Sequence, residues 1–288
     1  MRMIVHQALH GYSEGHRQFA CSAELTSNDS RFVLVMSDAS GSGVTAEGIS
    51  YLTGYPLPES GLYALARTWP APEMPRPGCV WTHTLFIEFA DLAALDSPSQ
   101  LASLFKPPSI ETARAYGGDL HLTNALARGR ALSSSQMQVF LRLATALYEQ
   151  PHDQVWARRA TDTQVDDVVL RLWDLQWPRL RRSFRFCTLT SRDRSQEGAL
   201  FDLQFCGESV SRLRFAQNTE AVAATAISAE PWLAQLADYA GRPDASEFRE
   251  VLRLLGTDVL GGRETMRAIC ELQATLTRRG PAAVADVI

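Results

Sequence analysis

The stretch Met3-Ile4-Val5-His6-Gln7-Ala8-Leu9-His10-Gly11-Tyr12-Ser13-Glu14-Gly15-His16-Arg17 sets up the fold reading of this chain. Its first seven residues mix β-branched and apolar side chains as a strand does. Gly11 and Gly15 bracket Tyr12, Ser13 and Glu14, so the backbone can turn sharply there without a Cβ penalty. The expectation is a strand that ends near His10, a turn of specified geometry, and His16 beyond it. No other stretch is as dense in histidine.

Outward from that loop, Thr26 to Ser30 offer several N-caps ahead of Arg31-Phe32-Val33-Leu34-Val35-Met36, and Ser40-Gly41-Ser42-Gly43 stops the element. A short helix fits, and Val33 with Val35 leave a strand open. Leu62 to Trp69 and Val80 to Phe89 read as strands. Pro70, Pro72, Pro75 and Pro77 separate them, so they are joined by a long loop or lie as sheet neighbours. Asp91 to Phe105 reads as helix broken at Ser97-Pro98, and Ser109 to Arg130 reads as a connector between two halves.

The second half opens on Ser133-Ser134-Ser135 capping an amphipathic helix, Gln136 to Glu149, with Val139, Phe140, Leu143, Ala146 and Leu147 at helical spacing. A second helix runs from Gln164 to Leu175 and stops at Trp177-Pro178. Strand-like alternation follows through Phe184 and Phe186, and again at Leu200 to Phe205, which predicts a hairpin near 180–206. Pro231 to Ala240, Ser246 to Leu255 and Glu264 to Thr277 read as helices. The expected fold class is mixed α+β: a β-rich N-terminal half with short helices, residues 1–130, and a helical region with a hairpin, residues 131–288. The two regions are expected to pack as one compact unit.

Composition narrows the function classes. At 288 residues, 45% hydrophobic and 21% charged, the chain is an ordinary globular protein with room for a real core. A formal net charge of −4 supplies no overall basic field for nucleic acid. Cys21, Cys79, Cys187, Cys206 and Cys270 are widely spaced without a Cys-x-x-Cys pair, which suggests neither a disulfide framework nor a zinc knuckle. No run of eighteen apolar residues occurs, so a cytoplasmic protein without membrane contact is expected, with no metal and no cofactor. Gly41-Ser42-Gly43 lacks the Gly-Lys-Ser or Gly-Lys-Thr of a phosphate loop, and Lys106 is the only lysine.

Two constellations could carry chemistry. His10, Glu14 and His16, with Cys21, offer imidazole, carboxylate and thiol for a hydrolase or nuclease site that His83 or Arg182 would complete in the fold. The spacing matches no catalytic motif, and a structural or partner-binding loop is the plainer reading. His83, between Thr82 and Thr84, reads as a hydrogen-bonded core histidine. The tract from Arg179 to Phe186 combines arginine with phenylalanine, a composition that can stack bases and pair phosphates, so a nucleic-acid sensor is a further alternative.

Taken together, Leu9-His10-Gly11-Tyr12-Ser13-Glu14-Gly15-His16-Arg17 and Trp177-Pro178-Arg179-Leu180-Arg181-Arg182-Ser183-Phe184-Arg185-Phe186-Cys187-Thr188 resemble two blocks of the N-terminal domain of bacterial GTPase-associated proteins, over residues 3 to 210. That family places such a domain at the head of longer chains. The resemblance implies a recognition or coupling module of a bacterial antiviral or conflict system, with a protein partner from the same module such as a GTPase, and no catalysis of its own. The residues expected to make those contacts are Tyr12, Glu14, His16 and Arg17 in the loop and Arg181, Arg182 and Arg185 in the tract, types that often anchor interfaces.

Overall fold

The computed structural model describes residues 2–41, 43–123, 131–159, 164–196, 198–207, 226–242, 246–255 and 259–279. The opening stretch forms β1 (Arg2–Tyr12) and β2 (His16–Cys21), an antiparallel hairpin in which Tyr12 faces His16 and Ala8 faces Cys21. The strand runs two residues past His10, because Gly11 lets Trp81 close over the backbone: a Cβ there would lie 2.3 Å from the indole. Register slips between Leu9 and His10, which leaves Phe19 as the bulged residue and re-aims the end of the hairpin. The turn is closed by the Ser13 amide donating to the Gly15 carbonyl at 2.9 Å, with Glu14 left-handed at φ 58°.

β1 pairs on its other side with β5 (Val80–Glu88), and β5 pairs with β4 (Leu62–Pro70), as neighbours across the proline loop. β4 then pairs with β3 (Tyr51–Leu57), a strand not expected from the sequence. Gly54 and Pro56 disguise it as a turn. Gly54 is needed because a Cβ would sit 2.4 Å from the Phe186 ring, and Pro56 lies beyond the two residues, Thr53 and Gly54, that pair with the next strand. α1 (Ser27–Ser37) takes Thr26 as its N-cap, which resolves the helix-or-strand alternative as helix.

The expected helix from Asp91 to Phe105 is a one-and-a-half-turn α2 (Phe89–Ala94) followed by a 3₁₀ segment at Pro98–Leu104. Within the expected connector, β6 (Leu120–Thr123) adds to the sheet beside the first residues of β1; residues 124–130 lie outside the described residues. α3 (Ser134–Glu149) begins with the reciprocal capping box of Ser133 and Gln136. β7 (Val155–Arg158), also unexpected, precedes α4 (Val165–Asp174) and α5 (Pro178–Ser183).

The expected hairpin near 180–206 is not one. β8 (Phe186–Thr190) and β9 (Leu203–Cys206) are neighbours, but they run parallel, and β9 also pairs in parallel with β7. Residues 191–196 and 198–202 carry the chain back over the face of the sheet that α1 covers. Arg194, only 2% exposed, pins that return by donating to the carbonyls of Met36 at 2.8 Å, Val35 at 3.3 Å and Ala39 at 3.5 Å. The Ser191 amide donates to the Ser40 carbonyl at 3.0 Å. β9 therefore slots between β7 and β8, and the mixed sheet, nine strands among the described residues, runs β2-β1-β5-β4-β3-β8-β9-β7, with β6 on β1.

Both faces of the sheet are buried. On one, Val5, Leu52, Tyr63, Leu65, Leu85 and Ile87 share a core with Leu92 of α2, with Phe140, Leu143 and Leu147 of α3 and with Val168, Val169, Leu172 and Trp173 of α4, Tyr63 stacking on Trp173. Each such aliphatic side chain removed from water contributes roughly 1.5–3 kcal/mol. On the other, Ala8, Tyr55, Leu57, Ala64 and Phe86 meet Val33 and Met36 of α1 and Phe201 of the returning segment. α6 (Pro231–Gly241), α7 (Ser246–Leu255) and α8 (Met266–Arg279), the last preceded by a 3₁₀ turn, extend the first layer through Trp232, Phe248 and Ile269. The architecture is mixed α+β with a strand-rich N-terminal part.

Candidate functional site

The end of α1 comes to rest against the hairpin because of a polar seam. Thr82 of β5 donates its hydroxyl to the Ser37 carbonyl at 2.6 Å, and Thr68 meets Thr82 at 2.9 Å. His16, the first residue of β2, places Nε2 2.8 Å from Ser37 Oγ and Nδ1 3.8 Å from Asp38 Oδ1. His10, 1% exposed, stacks on His16 with ring centroids 6.1 Å apart. Burial holds the His10 imidazole down at about 3, with His16 pushing the same way. Burial also lowers His16, and the Asp38 carboxylate opposes it.

Beside this seam opens a cleft of about 270 Å³ with three walls: Tyr12, Gly15 and His16 of the hairpin, Asp38 at the end of α1, and Arg76 to Val80 of the proline loop. Sequence spacing brought His10, His16 and Tyr12 to notice. It offered no signal that Ser37, Asp38 and Arg76 would join them, since those residues arrive from other elements through tertiary packing.

The rest of the first constellation does not converge. Glu14 is exposed at the tip of the turn. Cys21 sits at the opposite end of β2, opposite Ala8, with its thiol raised by burial and directed to the Ala23 carbonyl at 3.4 Å. His83 faces the other layer, since it pairs with Leu9 while Thr82 pairs with His10. There it is a hydrogen-bonded core histidine: Nε2 lies 2.9 Å from Gln7 Oε1, and the ring stands edge-on to Tyr116 and Phe105. Ser37, His16 and Asp38 do follow the order of a nucleophilic triad. Ser37 is 0% exposed, however, and its hydroxyl donates to the Leu34 carbonyl at 2.9 Å, so no substrate reaches it.

The second tract is placed differently from the sequence expectation. Its arginines begin on the short helix α5, so successive side chains point about 100° apart. Arg181 turns inward, 3% exposed, and its guanidinium donates to the carbonyls of Leu95 and Asp174, both at 2.8 Å. Burial lowers it to about 10, with Asp174 opposing. It braces α4, α5 and the Leu95 segment and presents nothing to a docking partner. Arg182 is half-buried with its guanidinium 5.8 Å from the Phe89 ring, at the far end of β5 from His10. Arg185 is half-buried, and its amide donates to Asp202 at 2.8 Å. Phe184 and Phe186 are fully buried, so the tract has no phenylalanine ring on which a base could stack.

Among the described residues, no group of three His, Cys, Asp or Glu could hold a metal ion, and no helix is long and apolar enough to cross a membrane. What the site and fold define is a mixed α+β protein with a hairpin beside a small polar cleft. Residues 4–105 match the family model of the GTPase-associated protein 1 N-terminal domain, type 1. That span holds all three walls of the cleft, while the arginine tract of residues 179–186 falls outside it. No curated protein and no solved structure matches the chain.

Proposed function

We propose that this chain is a non-catalytic recognition module of a bacterial antiviral or conflict system, which docks a partner protein, a GTPase, through the tip of the first hairpin and the cleft beside it. The observation that carries this reading is the placement of the cleft. It lies wholly within the part that matches a GTPase-associated domain, and its hairpin wall is held to α1 by the His16–Ser37 hydrogen bond, whereas Glu14, Cys21 and His83 lie away from the stacked His10 and His16. A preformed, braced concavity binds a partner without first spending free energy on ordering loops.

Tyr12 flanks the turn, Glu14 sits at its tip, and Arg17 lies over Phe19 on the adjoining surface, guanidinium to ring 5.5 Å. Tyrosine and arginine are enriched among the few residues that dominate binding energy at protein interfaces. The test is capture of the GTPase expressed with this chain from neighbouring genes, with GTP, GDP or neither, by the wild type and by the Tyr12→Ala/Arg17→Ala double variant. The double variant is expected to keep its urea midpoint and to lose affinity by about tenfold or more. Equal capture by a folded double variant excludes the hairpin from docking.

A further inference from the structure

The hydrogen-bond inventory around His16 leaves two acceptors facing each other with no donor between them. The Leu34 carbonyl lies in the last turn of α1, where helix carbonyls lack amide partners, and the Ser37 hydroxyl serves it at 2.9 Å. A hydroxyl has one proton, so Ser37 Oγ must accept at its other contact, the one 2.8 Å from His16 Nε2. His16 thus carries its proton on Nε2. Its Nδ1 is then a bare lone pair, 3.8 Å from the Asp38 carboxylate oxygen, and both residues line the cleft. Asp38 Oδ1 already accepts from the Ala39 amide at 2.8 Å and keeps further lone pairs for a ligand.

We infer that the cleft is a pocket for one arginine side chain of the docking partner, whose guanidinium bridges His16 Nδ1 and Asp38 Oδ1. This rests on the docking reading and names what the partner must present. Guanidinium suits the gap because adjacent N–H groups in one plane reach two separate acceptors, which a single ammonium point charge does less well. The volume of about 270 Å³ takes one long side chain and excludes a folded element. Tyr12 in the same wall offers a ring to the flat cation. Arg76 on the third wall repels a lone cation, so the occupant carries an acidic group next to the arginine. Among the described residues, the other titratable groups in the lining are Cys79 and Tyr12.

The probe is the blocked dipeptide acetyl-arginyl-aspartyl-amide, titrated into the full chain while the ring nitrogens of His16 are followed by nitrogen-15 NMR. The citrulline analogue, neutral and of the same shape, serves as comparison. Expected is a saturable change at Nδ1 with the arginine dipeptide, and a loss of affinity of about tenfold or more both for citrulline and in the Asp38→Asn variant. Asn keeps the acceptor for the Ala39 amide, and Asp38 is half-exposed, so this variant folds. No change at Nδ1, or equal binding by Asp38→Asn, overturns the inference. Capture of the GTPase separates the two claims: if Asp38→Asn captures it as well as wild type does, the arginine pocket is wrong and the docking reading stands. If the dipeptide saturates the cleft and no GTPase is captured by the wild type, the pocket stands and the partner assignment falls.

Discussion

His10 and His83 lie on adjacent strands, one register step apart, and are buried in opposite layers. Neither has a counter-charge, and burial holds both near 3, well below the ordinary 6.5; His16 adds to the effect on His10 and Lys106 to that on His83. The unfolded chain therefore binds more protons than the folded one as pH falls from 6.5 toward 3. The stability these residues contribute is whole above 6.5 and is lost through that window, each histidine adding a slope of about 1.4 kcal/mol per pH unit. Urea midpoints measured between pH 7 and 5 should fall accordingly, His16, also lowered by burial, adding to the slope, and His10→Gln should make the slope shallower; a flat profile would show that these rings are protonated in the fold. At this scale the sequence was partly readable. His83 between two threonines on a strand looked like a core histidine, and Gly15 did mark a turn, whereas Gly11 lies in β1 beneath Trp81. The inward aim of Arg181 was not readable, because an arginine run reads the same whether its helix packs on one face or another.

Elements with their own local signals were the ones legible in the chain. α3 announced itself through Ser133 and Gln136 at capping-box spacing and a clean apolar stripe, and Ser246–Leu255 was bounded correctly by its periodicity. β3, β6 and β7 were missed for physical reasons. Gly54 exists to let Phe186 approach, so a packing requirement imitates a turn, and four-residue strands such as β6 and β7 carry too few alternations to register. The direction of β9 depends on a contact no local pattern encodes. Arg194 holds its segment, residues 191–196, against the end of α1, and replacing it with methionine leaves the carbonyls of Val35, Met36 and Ala39 without that donor. We expect Arg194→Met to cost about 3 kcal/mol in urea unfolding. Amide exchange should accelerate in β8, β9 and the end of α1 before it does in the β1–β5 pairing; uniform acceleration, or none, would mean that the return is held elsewhere.

On the scale of the whole molecule, the strand ladder passes from β3 to β8 and so crosses the division at residue 130 anticipated from the sequence. The apolar face of β3, β4 and β5 shares its core with α2 and with α3, α4 and α5 of the second region, α5 lying against β3 and Trp173 of α4 stacking on Tyr63. A fragment of residues 1–130 would expose Leu52, Tyr63, Leu65 and Leu85 to water together with an unpaired edge of β3. It should show no cooperative thermal transition and should bind a hydrophobic dye, while the full chain melts in a single step; a sharp transition in the fragment would establish an independent domain. Short-range patterning by itself determined which segments are strands or helices where alternation and caps are strong, the mixed α+β class, the hairpin turn and its histidines, and a resemblance confirmed over residues 4–105. Only the tertiary structure decided the strand order, the parallel run of β9, the burial of Arg181 and the meeting of His16 with Ser37, Asp38 and Arg76. The reason is one of range: periodicity and capping act within a few residues, whereas these features depend on where a connection travels and on which distant groups must share a proton or a counter-charge once water is excluded.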